Sequence, residues 1–172
     1  MTDAFDGLLA SLDAPMVVVT TAAGGERAGC MVGFHSQASI EPQRLAVWLS
    51  KANHTYRVAL HATHLAVHAL TEEDGDLAER FGGETGDVVD KFAGLAWTAG
   101  PGGVPLLDGC PHRTVIDRVT LLDDAGDHVL WVGQPVAGGD GPPFHPLRLH
   151  HVTGMTPGHA AGDPDPDADG SG

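Results

Sequence analysis

Hydrophobic positions fall into short blocks with two periodicities. Phe5, Leu8, Leu9 and Leu12 recur at helical spacing, which predicts a short amphipathic helix that stops before Pro15. Met16 to Thr21 is rich in β-branched residues, and Arg27 to Gly33 follows the turn Ala23-Gly24-Gly25-Glu26, so together they predict a β-hairpin. Leu45 to Leu49 predicts a buried strand, Thr55 to Ala62 a helix and Leu65 to Leu70 a further strand. Asp74 to Phe81, with Leu77, Ala78 and Phe81 on one face, predicts a helix ended by Gly82-Gly83, and a short turn then carries Val88, Val89 and Phe92. Between Ala99 and Gly109 glycine and proline exclude long regular structure. Arg113 to Leu122 and His128 to Val136, joined by Asp123-Asp124-Ala125-Gly126, predict two paired strands, and Leu147 to Val152 one more short strand. Strands at short spacing with helices in the connections argue for a mainly β fold, a barrel with peripheral helices, over a parallel sheet.

Length and charge narrow the classes. The chain has 172 residues, 42% of them hydrophobic, which predicts one globular domain over residues 1–158 with a self-sufficient core. The stretch 159–172 holds Asp163, Asp165, Asp167 and Asp169 and predicts a disordered acidic tail. No apolar run approaches the roughly 20 residues of a membrane span. The acidic start M-T-D-A-F-D-G does not read as a secretory signal, so the expected compartment is the cytoplasm. Cys30 and Cys110 form no C-x-x-C and read as free thiols. A formal charge of −14 argues against a nucleic-acid partner, which needs a basic face.

The chemistry concentrates between Gly29 and Thr55. A small-residue strand end leads into a polar Ser/Gln turn region broken at Glu41-Pro42, then the buried strand, then the cluster Ser50, Lys51, Asn53, Thr55 at a helix start. Two polar elements bracket one apolar strand, which suits a ligand with an aromatic body and an anionic tail, such as a flavin nucleotide. The alternative is a plain strand-to-helix connection in which Asn53 or Thr55 is only an N-cap. Other chemistries lack their signatures: there is no G-x-S-x-G, no P-loop G-K-[ST] and no G-x-G-x-x-G after a strand. His61, His64 and His68 are spaced H-x-x-H-x-x-x-H, but a helix-to-strand change near Thr63 scatters them, and no metal site is expected.

These residues carry a resemblance. Val17 to Thr21, Gly29 to Pro42, Ser50 to Thr55, Lys91-Phe92, Pro105-Leu106-Leu107 and Gly126-Asp127-His128 follow one another as in the flavin reductase family, the FMN-binding split-barrel NAD(P)H:flavin oxidoreductases. The resemblance implies an isoalloxazine ring against the backbone of Val32, Gly33, Phe34, His35 and Ser36, with Ser39 helping to hold the ribityl-phosphate. It implies a phosphate end formed by Ser50, Lys51, Asn53, His54 and Thr55. Lys91 and Phe92 then edge the pocket, unless Phe92 only anchors a short helix, and His128 lies on the nicotinamide side, unless it is a plain surface residue. Gly33 and Phe34 stand where the family often has two serines, His35 where it often has Phe, Gln37 for a Ser and Gln43 for a second Pro.

The activity so implied is hydride transfer from NADH or NADPH to FMN, with FAD possible, which asks little of side chains beyond holding two rings face to face. The paucity of basic residues favours NADH. The resemblance also implies a homodimer with flavin at the interface and a separate monooxygenase that takes the reduced flavin. Two other readings stand beside it: an FMN carrier with little turnover, and a structural or metal-binding domain without flavin.

Overall fold

The computed structural model describes residues 3–158. The expected acidic tail lies outside them. In chain order the elements are α1 (Asp3–Leu12), β1 (Val17–Ala23), β2 (Glu26–Val32), β3 (His35–Ser39), β4 (Arg44–Ser50), α2 (His54–Ala59), β5 (His64–Ala69), α3 (Gly75–Gly83), β6 (Trp97–Ala99), β7 (Pro105–Leu107), β8 (Arg113–Leu122), β9 (His128–Gly139) and α4 (Leu149–Val152). Seven strands form one antiparallel sheet in the order β2-β1-β5-β8-β9-β4-β3, and β6 pairs with β7 in a small ribbon.

The sheet curls into a roll. Cys30 and Val32 of β2 share one buried cluster with Val47 and Leu49 of β4, although four strands separate β2 from β4 in the sheet. Alternation makes this possible, because Val17 and Val19, Leu65 and Val67, and Val129 and Trp131 each turn every second side chain inward. Ala59 and Ala62 near α2 plug one end. The edges β2 and β3 do not pair with each other, so the roll is left open between them. Unpaired strand edges need cover. A second cluster, with Met16, Val18, Phe81, Phe92 and Leu107 at its centre, packs α3 and the ribbon against the outside of β1.

The hairpin Val17–Val32 turns at Gly24 and Gly25 with φ of 59° and 81°, the left-handed pair that a tight two-residue turn requires. β8 matches its expected span, and β9 runs three residues past Val136. Two expectations need correction. The polar region 35–39, read as a turn, is an edge strand, because its backbone completes the β4 ladder while Ser36, Gln37 and Ala38 stay exposed. Leu147–Val152 is not a strand: Leu147 bonds Met16 and Leu70 through the backbone, and a one-turn helix starts at Leu149. α1 forms as expected and ends before Pro15, and none of its residues is buried.

Buried polar groups tie the ribbon on. Thr20 donates to the Pro105 carbonyl and Thr21 to the His64 carbonyl at 2.9 Å. His68, wholly buried, lies 3.2 Å from the Val18 carbonyl through Nδ1, while its Nε2 accepts the Leu107 N–H at 3.1 Å. That pattern fixes the neutral Nδ1–H tautomer. Burial pushes its pKa down to about 4.

Candidate functional site

A cleft of about 240 Å³ opens beside the free edge of β2. One wall is Cys30, Met31 and Val32 of β2 with Gly33 and Phe34 at the corner; the others are Trp48 and Ser50 of β4, Asn53, His128, Phe81-Gly82 at the end of α3, Glu84 and the strap Pro157-Gly158. The strap is held by the Gly158 N–H on the Gly82 carbonyl at 3.1 Å. The walls are largely apolar, with hydroxyl, amide and imidazole groups at one side, the composition of a site for a flat aromatic ligand with a polar end.

Six of the expected residues meet here: Val32, Gly33, Phe34, Ser50, Asn53 and His128. His128 starts β9, and its Nδ1 donates to Asp127 Oδ1 at 2.7 Å, a bond that holds the Asp127 carboxyl below its usual range. The Phe34 ring lies 5.0 Å from the His128 ring. Asn53 occupies the N-cap position of α2 without making a side-chain cap, so its amide is not used in the way the alternative reading required. α2 has six residues. The polar end of the cleft therefore rests on side chains rather than on a helix dipole. The room that Gly33 leaves by lacking a Cβ is taken by Met16, whose Cε sits 3.3 Å from where that Cβ would be.

Other expected residues lie around the cleft. Lys51 is held by Asp123, Nζ to Oδ1 at 2.7 Å, which raises its pKa, and its backbone N–H bonds the Asp127 carbonyl. His35 donates through Nε2 to the Pro15 carbonyl at 2.8 Å. Ser36 and Ser39 lie on the edge strand β3, with the Ser36 hydroxyl on the Gln37 carbonyl. Thr55 is buried, as is Cys30, whose thiol pKa is raised by burial. His54 turns away, with Nε2 2.7 Å from Glu26 and Nδ1 3.1 Å from Asp87.

Lys91 is 7% exposed, and its Nζ donates to the Gly29 carbonyl at 3.2 Å and the Phe81 carbonyl at 3.0 Å. It thus ties the last turn of α3, where carbonyls lack partners within the helix, to the open edge of β2. Burial lowers its pKa. Phe92 packs edge-on between Phe81 and Trp97, beneath the Arg27 guanidinium. Lys91 and Phe92 line a second cleft of about 350 Å³ along Gly25–Gly29.

The sequence reading left out Cys30, Met31, Trp48, Phe81, Gly82, Glu84, Pro157 and Gly158. Trp48 carried a usable signal: in a strand it must share a face with Ser50. Phe81 and the strap carried none, because only packing brings them to β2. No group of three His, Cys, Asp or Glu side chains placed to hold a metal occurs among the described residues.

The family model for the flavin reductase like domain matches residues 9–153. The chain belongs to the flavin reductase family. Among its relatives is the FMN reductase (NADH) RutF of Pseudomonas syringae pv. syringae, 28% identical over 161 residues, which cover 90% of this chain and 86% of that protein. Another is the flavin-dependent monooxygenase reductase subunit HsaB of Mycobacterium tuberculosis, 27% identical over 130 residues, 75% of this chain and 67% of the other. The fold is that of the flavin reductase domain protein of Arthrobacter sp. FB24, with a TM-score of 0.73 at 23% identity over 84% of this chain and 91% of that one.

Proposed function

We propose that this flavin reductase family member is an NAD(P)H-dependent flavin oxidoreductase that uses FMN, with FAD as the alternative flavin, and hands reduced flavin to a separate monooxygenase. The observation that carries this is the cleft itself, in which main chain at Val32–Phe34, the Trp48 ring, the Ser50 and Asn53 side chains and the Asp127-held His128 converge. RutF is an NADH-dependent FMN reductase and HsaB the reductase subunit of a monooxygenase, and both names support the reading.

The donor set fits such a group. Bound FMN supplies the hydride acceptor that the chain lacks. Met31, Phe34, Trp48 and Phe81 exclude water from the ring, and Ser50 and Asn53, with Lys51 next to them in sequence, serve the phosphate end. His128, its ring orientation fixed by Asp127, faces the nicotinamide side and positions that ring rather than transferring protons. His35, Ser36, Ser39, His54, Thr55, Lys91 and Phe92 then act by shaping the walls. The cleft walls carry the carboxylate of Glu84 and no lysine or arginine, which favours NADH over the 2′-phosphate of NADPH. The cytoplasm is the proposed compartment, a reading supported by two buried free thiols. No helix among the described residues is long and apolar enough to cross a membrane.

One observation favours a second reading, an FMN carrier with little turnover: Phe34 sets its ring against His128, over the side where a nicotinamide must enter. Purified protein tested for visible flavin absorbance and then for flavin-dependent NADH oxidation separates the two. Bound flavin with slow NADH oxidation means the carrier; no flavin binding refutes both.

A further inference from the structure

We propose that Asp123 sets how strongly this cleft prefers a phosphorylated flavin to riboflavin, by competing with the flavin phosphate for the Lys51 ammonium. The proposal rests on the flavin reading above and adds a specificity-determining residue that acts through Lys51.

Lys51 is the cation placed to meet a phosphate at this end of the cleft. Ser50 and Asn53 both line the cleft, and the Asn53 N–H closes a turn on the Ser50 carbonyl at 3.1 Å, so Lys51 is the second residue of a turn whose two ends face the site. The ends of such a turn lie within about 7 Å of each other. The flexible stem of a lysine carries its ammonium over that distance. No lysine or arginine is among the residues that line the cleft itself.

The competitor is held in place by main chain. Pairing of β4 with β9 sets Ser50 opposite His128, and the Lys51 N–H extends that ladder to the Asp127 carbonyl at 2.9 Å, so the β8–β9 turn lies against Lys51. Asp123 Oδ1 accepts the Ala125 N–H at 2.8 Å as well as the Lys51 Nζ–H at 2.7 Å. Those two bonds, the one from Lys51 first, hold the Asp123 carboxyl below its usual range. Asp124 and Asp127, on the same turn, add negative charge beside the ammonium.

One ammonium cannot neutralise a carboxylate and a phosphate together. A phosphate that arrives at Ser50 and Asn53 must draw Lys51 away from Asp123 or share it, and either way the gain is reduced by the pair that is lost. Displacement is open to it, because 26% of the Lys51 side chain and 47% of the Asp123 side chain are exposed, and exposed pairs are weak. The flavin ring, held by Val32, Phe34 and Trp48, takes no part in this exchange. Removing the Asp123 charge therefore tightens FMN and spares riboflavin. Removing Lys51 leaves Asp123 facing the phosphate and weakens FMN.

The test uses the full chain, its Asp123→Asn and Asp123→Glu variants, and the double variant Asp123→Asn, Lys51→Ala. Asparagine keeps an oxygen for the Ala125 N–H and loses only the charge. Fluorescence titration at low and at physiological salt gives Kd for riboflavin and for FMN, and the readout is their ratio, which a general loosening of the turn does not move. Asp123→Asn should raise the preference for FMN about three- to fivefold, the scale of one exposed charge pair, with a smaller gain at higher salt. Asp123→Glu should stay near the wild type, and the double variant should lose the gain. An unchanged ratio in Asp123→Asn overturns the proposal and leaves the flavin reading standing; so does a double variant that prefers FMN as strongly as Asp123→Asn, since Asp123 would then only repel the phosphate. Binding of neither flavin by any of these proteins overturns both.

Discussion

His68 makes the stability of this protein depend on pH in a way that can be worked out. The ring is fully buried between the Val18 carbonyl and the Leu107 N–H, the bond that docks the β6–β7 ribbon on the sheet. Burial is the main cause of its depressed pKa; the Val18 carbonyl acts in the opposite direction, and the Arg113 guanidinium, bonded to the Leu107 and Cys110 carbonyls nearby, adds to the depression. In the unfolded chain the imidazole gains its proton near pH 6.5, in the folded chain only at about 4. Between these values the unfolded state binds more protons, so this contribution is whole above 6.5 and falls away as the pH drops through the window. The loss is about 1 kcal/mol between about pH 7.5 and 5.5 and about 3 kcal/mol by pH 4.

His68→Gln isolates the effect. A glutamine amide can donate to Val18 and accept from Leu107, yet does not titrate. Urea unfolding followed by the fluorescence of Trp48, Trp97 and Trp131 should be run on both proteins at several pH values above the isoelectric point. At the upper end of the range the variant should be no more than about 1–2 kcal/mol less stable. The gap should close as the pH falls, because the other ten histidines titrate alike in both proteins and cancel. Equal slopes in the two proteins would refute the reasoning.

Further outcomes follow from single contacts. Gly133→Ala places a Cβ 2.6 Å from Ile116 Cβ, which cannot swing away, so urea denaturation should show a loss of about 1–3 kcal/mol. Lys91→Met leaves the Gly29 and Phe81 carbonyls without their shared donor; thermal melting should register about 1–3 kcal/mol of destabilisation, with raised exchange at the end of α3. Asp127→Ala frees the His128 ring, so KM for NADH should rise several-fold while FMN affinity holds; a fall in FMN affinity with unchanged KM would place His128 elsewhere. Lys51→Ala should weaken FMN binding, read by fluorescence titration, and unchanged affinity would move the phosphate end away from Ser50 and Asn53.

Local pattern alone marked out most of this molecule. The β-branched runs at Val17 and Arg113, the glycine pair at Gly24-Gly25 and the continuous apolar run Leu45 to Leu49 each report a strand or a turn that neighbouring residues dictate, and the structure places strands and turns there. The family was legible for the same reason, since its motifs are contiguous. Other features depend on contacts distant in sequence. Residues 35–39 have no apolar face, so only the β4 ladder makes them a strand. The periodicity of Phe5, Leu8, Leu9 and Leu12 showed that a stripe exists, but periodicity cannot say what the stripe meets. Lys91 and Phe81 reach β2 because α3 folds back across it. Lys51 looked like a phosphate ligand from its neighbours in sequence; that it rests on Asp123 was decided by the pairing of β4 with β9, which sets Ser50 opposite His128 and so brings the β8–β9 turn to the end of β4.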